Sequence, residues 1–554
     1  DEHNLFLNSL SSQFKQKSTV VSQNYYYALN GIALKLDKSQ LKWAKEQPNV
    51  KSVSKDFIVN LHTDAGPQWI GAENVWDGMA LDTPGNQGEG VVVGIIDTGI
   101  YPQHPSFQQV SQAGTANQYV HSNPRGQYYG LCNSQICNNK LIGIYDFTDE
   151  GSNGIDTVGH GSHVAGTAAG NVYSTTYQGL SFTVSGVAPR ANIISYKACH
   201  YSEENSGGSC SHSSLLGAID QATANQVDVV NYSIGSDTPC SPWGSLDGNG
   251  DYCGNYGVNQ TAAAMLNARN AGVLFVVSAG NSGPGKSTIG APGNAPWVIT
   301  AANSTHSRQL QSSVKSFTGG NSVLNHSDEL IGASATNGIG PLRIVHAKDY
   351  GNALCGQGEA ELKSQCSGTG NDVLTGASNP FSPGTFNGEI VVCDRGTYGR
   401  VEKGFNVKQA GAAGYVLANT VGQQESITAD NHCLPGTHLG NIAGTRLRNW
   451  LDSGSNHMAE ITGQSLIYDD ALGDVMNSSS SRGPTTIIYN TPTSSNAGAV
   501  EQNFMKPNIS APGTSILAAD YQTAGLAVKS GTSMSAPHIS GAVALLKAKY
   551  PNYT

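Results

Sequence analysis

The chain has 554 residues, of which 38% are hydrophobic, 13% are charged and 67 are glycine; this is a globular, turn-rich composition, neither disordered nor fibrous. A formal net charge of −10 argues against a nucleic-acid backbone as partner, and no apolar run is long enough to span a membrane. Ten cysteines, at 132, 137, 199, 210, 240, 253, 355, 366, 393 and 433, include no Cys-x-x-Cys; zinc sites prefer that tighter spacing, so disulfides in an oxidising compartment fit better.

The chain opens on Asp1-Glu2-His3-Asn4, with neither a basic nor an apolar leader region, so a signal peptide has been removed or was never included. Residues 1–62 lack cysteine, use little glycine and carry frequent lysine. Asn30-Gly31 marks a hairpin turn between strands at 25–29 and 32–36. A helix is predicted over 39–46 with Ser39 as its cap, and a strand over 50–59. Together these predict a small α+β unit.

Residues 63–335 change class. A continuous apolar run at 91–96 and similar, mostly apolar runs at 192–198, 227–233 and 273–277 alternate with helical stretches at 164–169, 213–224 and 261–271. Such runs suit strands buried on both faces, hence a parallel sheet. Their alternation with helices predicts a doubly wound α/β layer. Working residues in such a layer stand just past the carboxyl ends of strands, the position of Asp97 and Asn281. Over 336–465 the rhythm weakens to a strand at 389–393, a helix at 400–413 and a strand at 415–418, with four cysteines. We read this as a small β-rich domain inserted into the first, whose second part is 466–554. Closing neighbouring cysteines within each domain predicts the pairs 132–137, 199–210, 240–253, 355–366 and 393–433.

Four stretches carry chemistry. Gly531-Thr532-Ser533-Met534-Ser535 leads into an apolar run and predicts a turn that delivers Ser533 to the start of a buried helix. The free N–H groups of that helix end suit a developing oxyanion; taken alone, Ser533 reads equally as an N-cap. His160, between Gly159 and Gly161, is the base candidate, since imidazole takes and returns a proton near neutral pH. His163 is assigned to packing, and His160-x-x-His163 lacks the Glu of the His-Glu-x-x-His metal motif. Asp97, at the end of an apolar strand, needs a partner for its carboxylate; an imidazole would satisfy it, with an Asx turn or metal ligation as alternatives. Asn281 offers an amide N–H to an oxyanion, and alone reads as a turn residue. The chain order is Asp…His…Ser, not the His…Asp…Ser or Ser-first orders of other triads.

The stretches Ile95-Ile96-Asp97-Thr98-Gly99, Gly159-His160-Gly161-Ser162-His163-Val164-Ala165-Gly166-Thr167 and Gly531-Thr532-Ser533-Met534-Ser535-Ala536-Pro537-His538 resemble the three signatures of the subtilisin-like serine peptidases. The resemblance implies that Ser533 is the nucleophile, His160 the base, Asp97 its orienter and Asn281 the oxyanion donor. It implies a substrate strand beside Ser233-Ile234-Gly235, where the family usually has Ser-Leu-Gly, and a specificity-pocket wall at Ser278-Ala279-Gly280. Residues 1–62 look like an inhibitor-type propeptide, and 336–465 like a protease-associated domain of the cucumisin-like branch and secreted bacterial relatives. Ser478-Ser479-Ser480-Ser481-Arg482-Gly483-Pro484 matches the same branch. The expectation is a secreted (extracellular or periplasmic) endopeptidase in its proform, acting on polypeptides, inhibited by its own propeptide and cut from it close to His62–Thr63. No cofactor is expected; structural calcium is compatible with the family, but no residues can be assigned to it. Family members usually continue past the point where Thr554 stands, which suggests a fragment. Rival readings are a catalytically idle binding scaffold, which a serine-directed phosphonate would fail to label, and an esterase using the same triad.

Overall fold

In the computed structural model, which describes residues 2–15, 20–25, 31–50, 65–79, 84–111, 118–177, 179–202, 207–235, 260–320, 323–358, 366, 379–423, 425–489 and 500–553, the strand Val92–Asp97 is buried at all six positions. Its side chains alternate between two cores. Val93 and Ile95 pack with Val164, Ala168, Met534 and Ile539 from the helices His160–Ala169 and Thr532–Lys549. Val92 and Ile96 pack with Ile219 and Met265 from His212–Ala224 and Gln260–Asn270 on the opposite face. Burial on both faces is why the run contains no polar residue until Asp97. Each such side chain contributes roughly 1.5–3 kcal/mol.

This strand lies inside an eight-stranded parallel sheet. The order is Ile509–Pro512, Ile299–Ser304, Leu274–Ser278, Val229–Tyr232, Val92–Asp97, Asn192–Lys197, Leu141–Asp146, Tyr129–Gly130. The chain places Asn192–Lys197 on one side of Val92–Asp97 and the next strand of the sheet, Val229–Tyr232, on the other. That reversal puts a crevice at the carboxyl end of Val92–Asp97. The doubly wound expectation is met.

A second eight-stranded sheet, mixed in direction, draws on residues from Arg308–Thr318 to Ser465–Tyr468. It reaches beyond 336–465 on both sides, because Arg308–Thr318 and Glu329–Ala333 pair with its later strands. Four of its strands run parallel and two helices, Arg400–Gln409 and Asn441–Leu451, accompany them. Eight strands with two accompanying helices make the region β-rich, as expected, with a parallel part that carries the helices. Its disulfides also differ from expectation. Cys132–Cys137 and Cys199–Cys210 form, but the insert pairs Cys355 with Cys393 and Cys366 with Cys433, where 355–366 and 393–433 had been expected. Cys355 and Cys393 share one buried core. Backbone bonding between Cys366 and Asn431 at 3.1 Å sets the other sulfur beside residue 433. Nearness in space, not in sequence, chose the partners. Cys240 and Cys253 lie outside the described residues.

The N-terminal 61 residues form a unit of their own. A helix Glu2–Gln13, not predicted, precedes an antiparallel pair, Val20–Tyr25 with Gly31–Lys35. The next helix, Lys38–Lys45, is capped by Asp37 and not by Ser39. Asp37 Oδ1 accepts the N–H groups of Ser39 (2.8 Å) and Gln40 (2.9 Å), while Gln40 Oε1 accepts the Asp37 N–H at 3.0 Å, a reciprocal capping box. Phe6 and Phe14 pack against Trp43, with centroids 5.6 and 6.0 Å away. The strand expected over 50–59 falls almost wholly outside the described residues.

Candidate active site

Asp97 closes its strand and is 1% exposed. Its Oδ1 accepts the His160 Nδ1–H at 2.7 Å and the Thr98 N–H at 2.8 Å. With the proton held on Nδ1, Nε2 presents a lone pair, the tautomer a general base requires. The His160 side chain is 28% exposed, so the ring is buried towards Asp97 and open on the other side. The bond from His160 both gives the buried carboxylate a partner and orients the imidazole.

His160 is the first residue of the helix His160–Ala169, which starts four residues earlier than predicted. The N-cap Gly159 has φ +85°, and a Cβ there would meet the Tyr521 ring at 2.3 Å. At Gly161 a Cβ would lie 2.1 Å from the Gly99 carbonyl, so the helix sits hard against the loop that follows Asp97. Asp156, not singled out from the sequence, holds this helix end. Its Oδ1 accepts from Thr98 Oγ1 (2.8 Å), Val158 N–H (3.0 Å) and Gly159 N–H (2.8 Å). Its Oδ2 accepts from the Ser162 N–H and hydroxyl, both at 2.8 Å. Thr98 Oγ1 in turn accepts the Gly161 N–H at 2.8 Å. A carboxylate four residues before a helix-starting histidine is a capping signal that sequence reading can find. His163 points elsewhere: it is fully buried, with Nε2 3.1 Å from the Ile516 and Ala527 carbonyls. Burial, and next the Lys529 charge, hold its pKa well below the usual imidazole range. That is the packing role expected of it.

Ser533 is the second residue of Thr532–Lys549. Its hydroxyl donates to the Ser233 carbonyl at 3.2 Å, and its own carbonyl accepts the Ser233 hydroxyl at 2.9 Å. The second bond has a sequence cause. A helix would tie the Ser533 carbonyl to the N–H of residue 537, but Pro537 has none. Asn231 Nδ2 donates to Ser233 Oγ at 3.0 Å and Ser540 Oγ donates to Asn231 Oδ1 at 3.1 Å, which fixes the Ser233 hydroxyl in this role. No hydrogen bond joins Ser533 to His160 among the described residues; such bonds tighten when substrate is bound.

Asn281 lies on the loop after Leu274–Ser278. Its Oδ1 accepts the Thr532 N–H at 3.0 Å and the Thr532 hydroxyl at 3.2 Å. With the oxygen committed, the amide nitrogen is the end left to donate, and it lies 3.5 Å from where a Cβ on Gly531 would stand. The structure thus joins Asn281 to the residue immediately before Ser533. Ser278 and Ala279 are buried, and Gly280 turns with φ +100°. Ser233 follows directly on the neighbouring strand Val229–Tyr232 and is buried, Ile234 is half-buried and Gly235 is exposed. The wall and strand residues named from the sequence therefore stand at the ends of adjacent strands, on the carboxyl side of the sheet with Asp97.

Residues 88–554 match the Subtilase family, and residues 1–62 match the Peptidase inhibitor I9 family. Subtilisin-like protease SBT1.4 of Arabidopsis thaliana is 31% identical over 582 residues, which take in 100% of this chain and 66% of that protein. Subtilisin-like protease SBT1.7 of the same plant is 31% identical over 561 residues, 96% of this chain and 65% of its own. The chain spans about two thirds of the length of these curated relatives. A solved structure, Sphericase, aligns over 87% of this chain and 85% of its own at 18% identity, with a TM-score of 0.35.

Proposed function

The chain belongs to the subtilase family, and on that premise we propose that it is a secreted serine endopeptidase made as a proform. The observation that carries the reading is the 2.7 Å bond from His160 Nδ1 to a buried Asp97, with Ser533 and Asn281 brought to the same end of the sheet. Ser533 Oγ attacks the scissile carbonyl while His160 Nε2 takes its proton. Asp97 steadies the imidazolium that forms. The tetrahedral oxyanion is met by the Asn281 amide and the Ser533 N–H at the helix start. His160 returns its proton to the leaving amine, and water repeats the cycle on the acyl-enzyme. The substrate lies as an added strand beside Ser233-Ile234-Gly235, with Ser278-Ala279-Gly280 as the far wall of its main pocket.

Residues 1–62 act on this reading as the chain's own inhibitor, released by cleavage close to His62–Thr63; the second sheet is the protease-associated insert. Secretion is supported by the disulfides, which persist in oxidising compartments. Among the described residues no helix is long and apolar enough to cross a membrane. Cleavage of a peptide library by activated protein tests the reading, together with N-terminal sequencing of the active species, expected to begin at or near Thr63. Hydrolysis of esters but not peptides, or no labelling of Ser533 by a phosphonate, refutes it.

A further inference from the structure

Ser478-Ser479-Ser480-Ser481-Arg482-Gly483-Pro484 has no part in the chemistry above, yet it is bonded along its length to the loop that carries Asn281. Gly283 N–H donates to the Ser479 carbonyl at 2.9 Å, and Thr288 N–H to the Arg482 carbonyl at 2.9 Å. Ser481 stands at the centre. Its N–H donates to the Gly280 carbonyl at 2.9 Å, and its Oγ accepts the Ser282 N–H at 3.1 Å. Gly280 and Ser282 are the two chain neighbours of Asn281. Ser481 is fully buried, and a Cβ on Gly280 would lie 2.9 Å from its hydroxyl, so the two segments touch.

We propose that Ser481 is a positioning residue for the oxyanion donor: it grips the backbone on both sides of Asn281 and so sets where the amide points. Thr532 holds the amide oxygen; Ser481 holds the peptide units that carry the side chain. A preorganised donor works only if it cannot follow the ground-state carbonyl, and a displacement of about 1 Å costs about 10²-fold in rate. This inference rests on the peptidase reading for its kinetic consequence, and on the loop geometry alone for its structural one.

Ser481→Ala removes the acceptor for Ser282 N–H. Turnover of a peptide substrate should fall about tenfold with KM within about twofold, because the donor acts in the transition state. In an Asn281→Ala background the same change should cost less than about twofold, since the group it positions is gone. Ser480→Ala is the control. Its hydroxyl is equally buried and accepts the Asn303 N–H at 3.0 Å, away from Asn281, so kcat should hold within about twofold. Equal losses in both backgrounds, or no loss from Ser481→Ala, overturn the proposal. A second arm uses the Ser533→Ala protein and needs no activity: amide exchange at 280–283 should quicken about tenfold on adding Ser481→Ala. Unchanged exchange there overturns the positioning role even if the chain proves not to be a peptidase. Should the alanine variant not fold, Ser481→Cys, similar in size but a far weaker acceptor, carries both arms with smaller changes in the same direction.

Discussion

At Asp156 a single carboxylate takes five donors, from Thr98, Val158, Gly159 and twice from Ser162. Three of them belong to the start of the helix whose first residue is His160. The loop after Asp97 and the helix bearing its imidazole partner are thereby pinned to the same group, so the 2.7 Å bond between them is set by neighbours as well as by its own attraction. Asp156→Ala should cost roughly 3 kcal/mol of stability, since charge-assisted bonds to buried donors are lost together. It should also lower turnover about 10²-fold in the molecules that remain folded. Urea unfolding and active-site-titrated kinetics measure the two effects, and turnover at the unmodified level would contradict the positioning role. Ser533→Ala belongs to the same scale: the fold should stay intact and peptidase activity should drop by about 10⁴ or more. Activity near the parent level would end the assignment.

The helix Thr532–Lys549 holds a proline where most helices tolerate none. Pro537 leaves the Ser533 carbonyl without an intrahelical donor, and the Ser233 hydroxyl fills the place at 2.9 Å. The helix thus gives up one backbone bond, and Ser533, the proposed nucleophile, is tied to Ser233 just past the strand Val229–Tyr232. Pro537→Ala restores an N–H that competes for the carbonyl. Stability should hold or rise, because proline is among the costliest helix-interior residues, while turnover falls about tenfold. A rise in both would show that the tie is incidental. The disulfides act at this scale too. Cys366–Cys433 closes 67 residues and Cys132–Cys137 closes 5. In the chain-entropy account the first contributes about 4 kcal/mol and the second about 2. Paired serine replacements, compared by chemical denaturation, should therefore rank in that order.

Across the whole molecule, several histidines are buried as neutral rings. Burial pushes His104 down to about 4, His121 to about 3 and His432 to about 4. At His104 the geometry agrees: Nε2–H donates to the Gly525 carbonyl at 2.7 Å and Nδ1 accepts the Ser106 N–H at 3.1 Å. A second proton on Nδ1 would face another donor. These folded-state values lie below the unfolded value near 6.5, so the unfolded chain takes up protons first as pH falls. The stabilisation they represent is full above about pH 6.5 and is lost on descending from there towards 4 and 3, at about 1.4 kcal/mol per pH unit for each ring. Denaturant unfolding of the Ser533→Ala protein, chosen so that the proposed peptidase activity does not interfere, should show a clear loss between pH 7 and 4.5. A flat profile would mean that these rings are already charged in the fold.

The four candidate groups stood out in the sequence only in combination: alone, Ser533 reads equally as an N-cap and Asn281 as a turn residue, and it is the Asp…His…Ser order together with the longer stretches around them that singles them out. The parallel sheet was legible because burial on both faces writes itself as mostly apolar runs, of which 91–96 is the continuous example. Apart from Asp156, what supports those groups was not legible. Ser233 and Ser533 stand 300 residues apart and exchange two bonds; Ser282 and Ser481 stand 199 apart. Cys366 finds residue 433 because the backbone at Asn431 runs beside it. Periodicity and capping report only what a residue does with neighbours a few positions away. A hydrogen bond between distant strand ends leaves no trace in either pattern, so only the packed structure, which brings those ends together, could decide it.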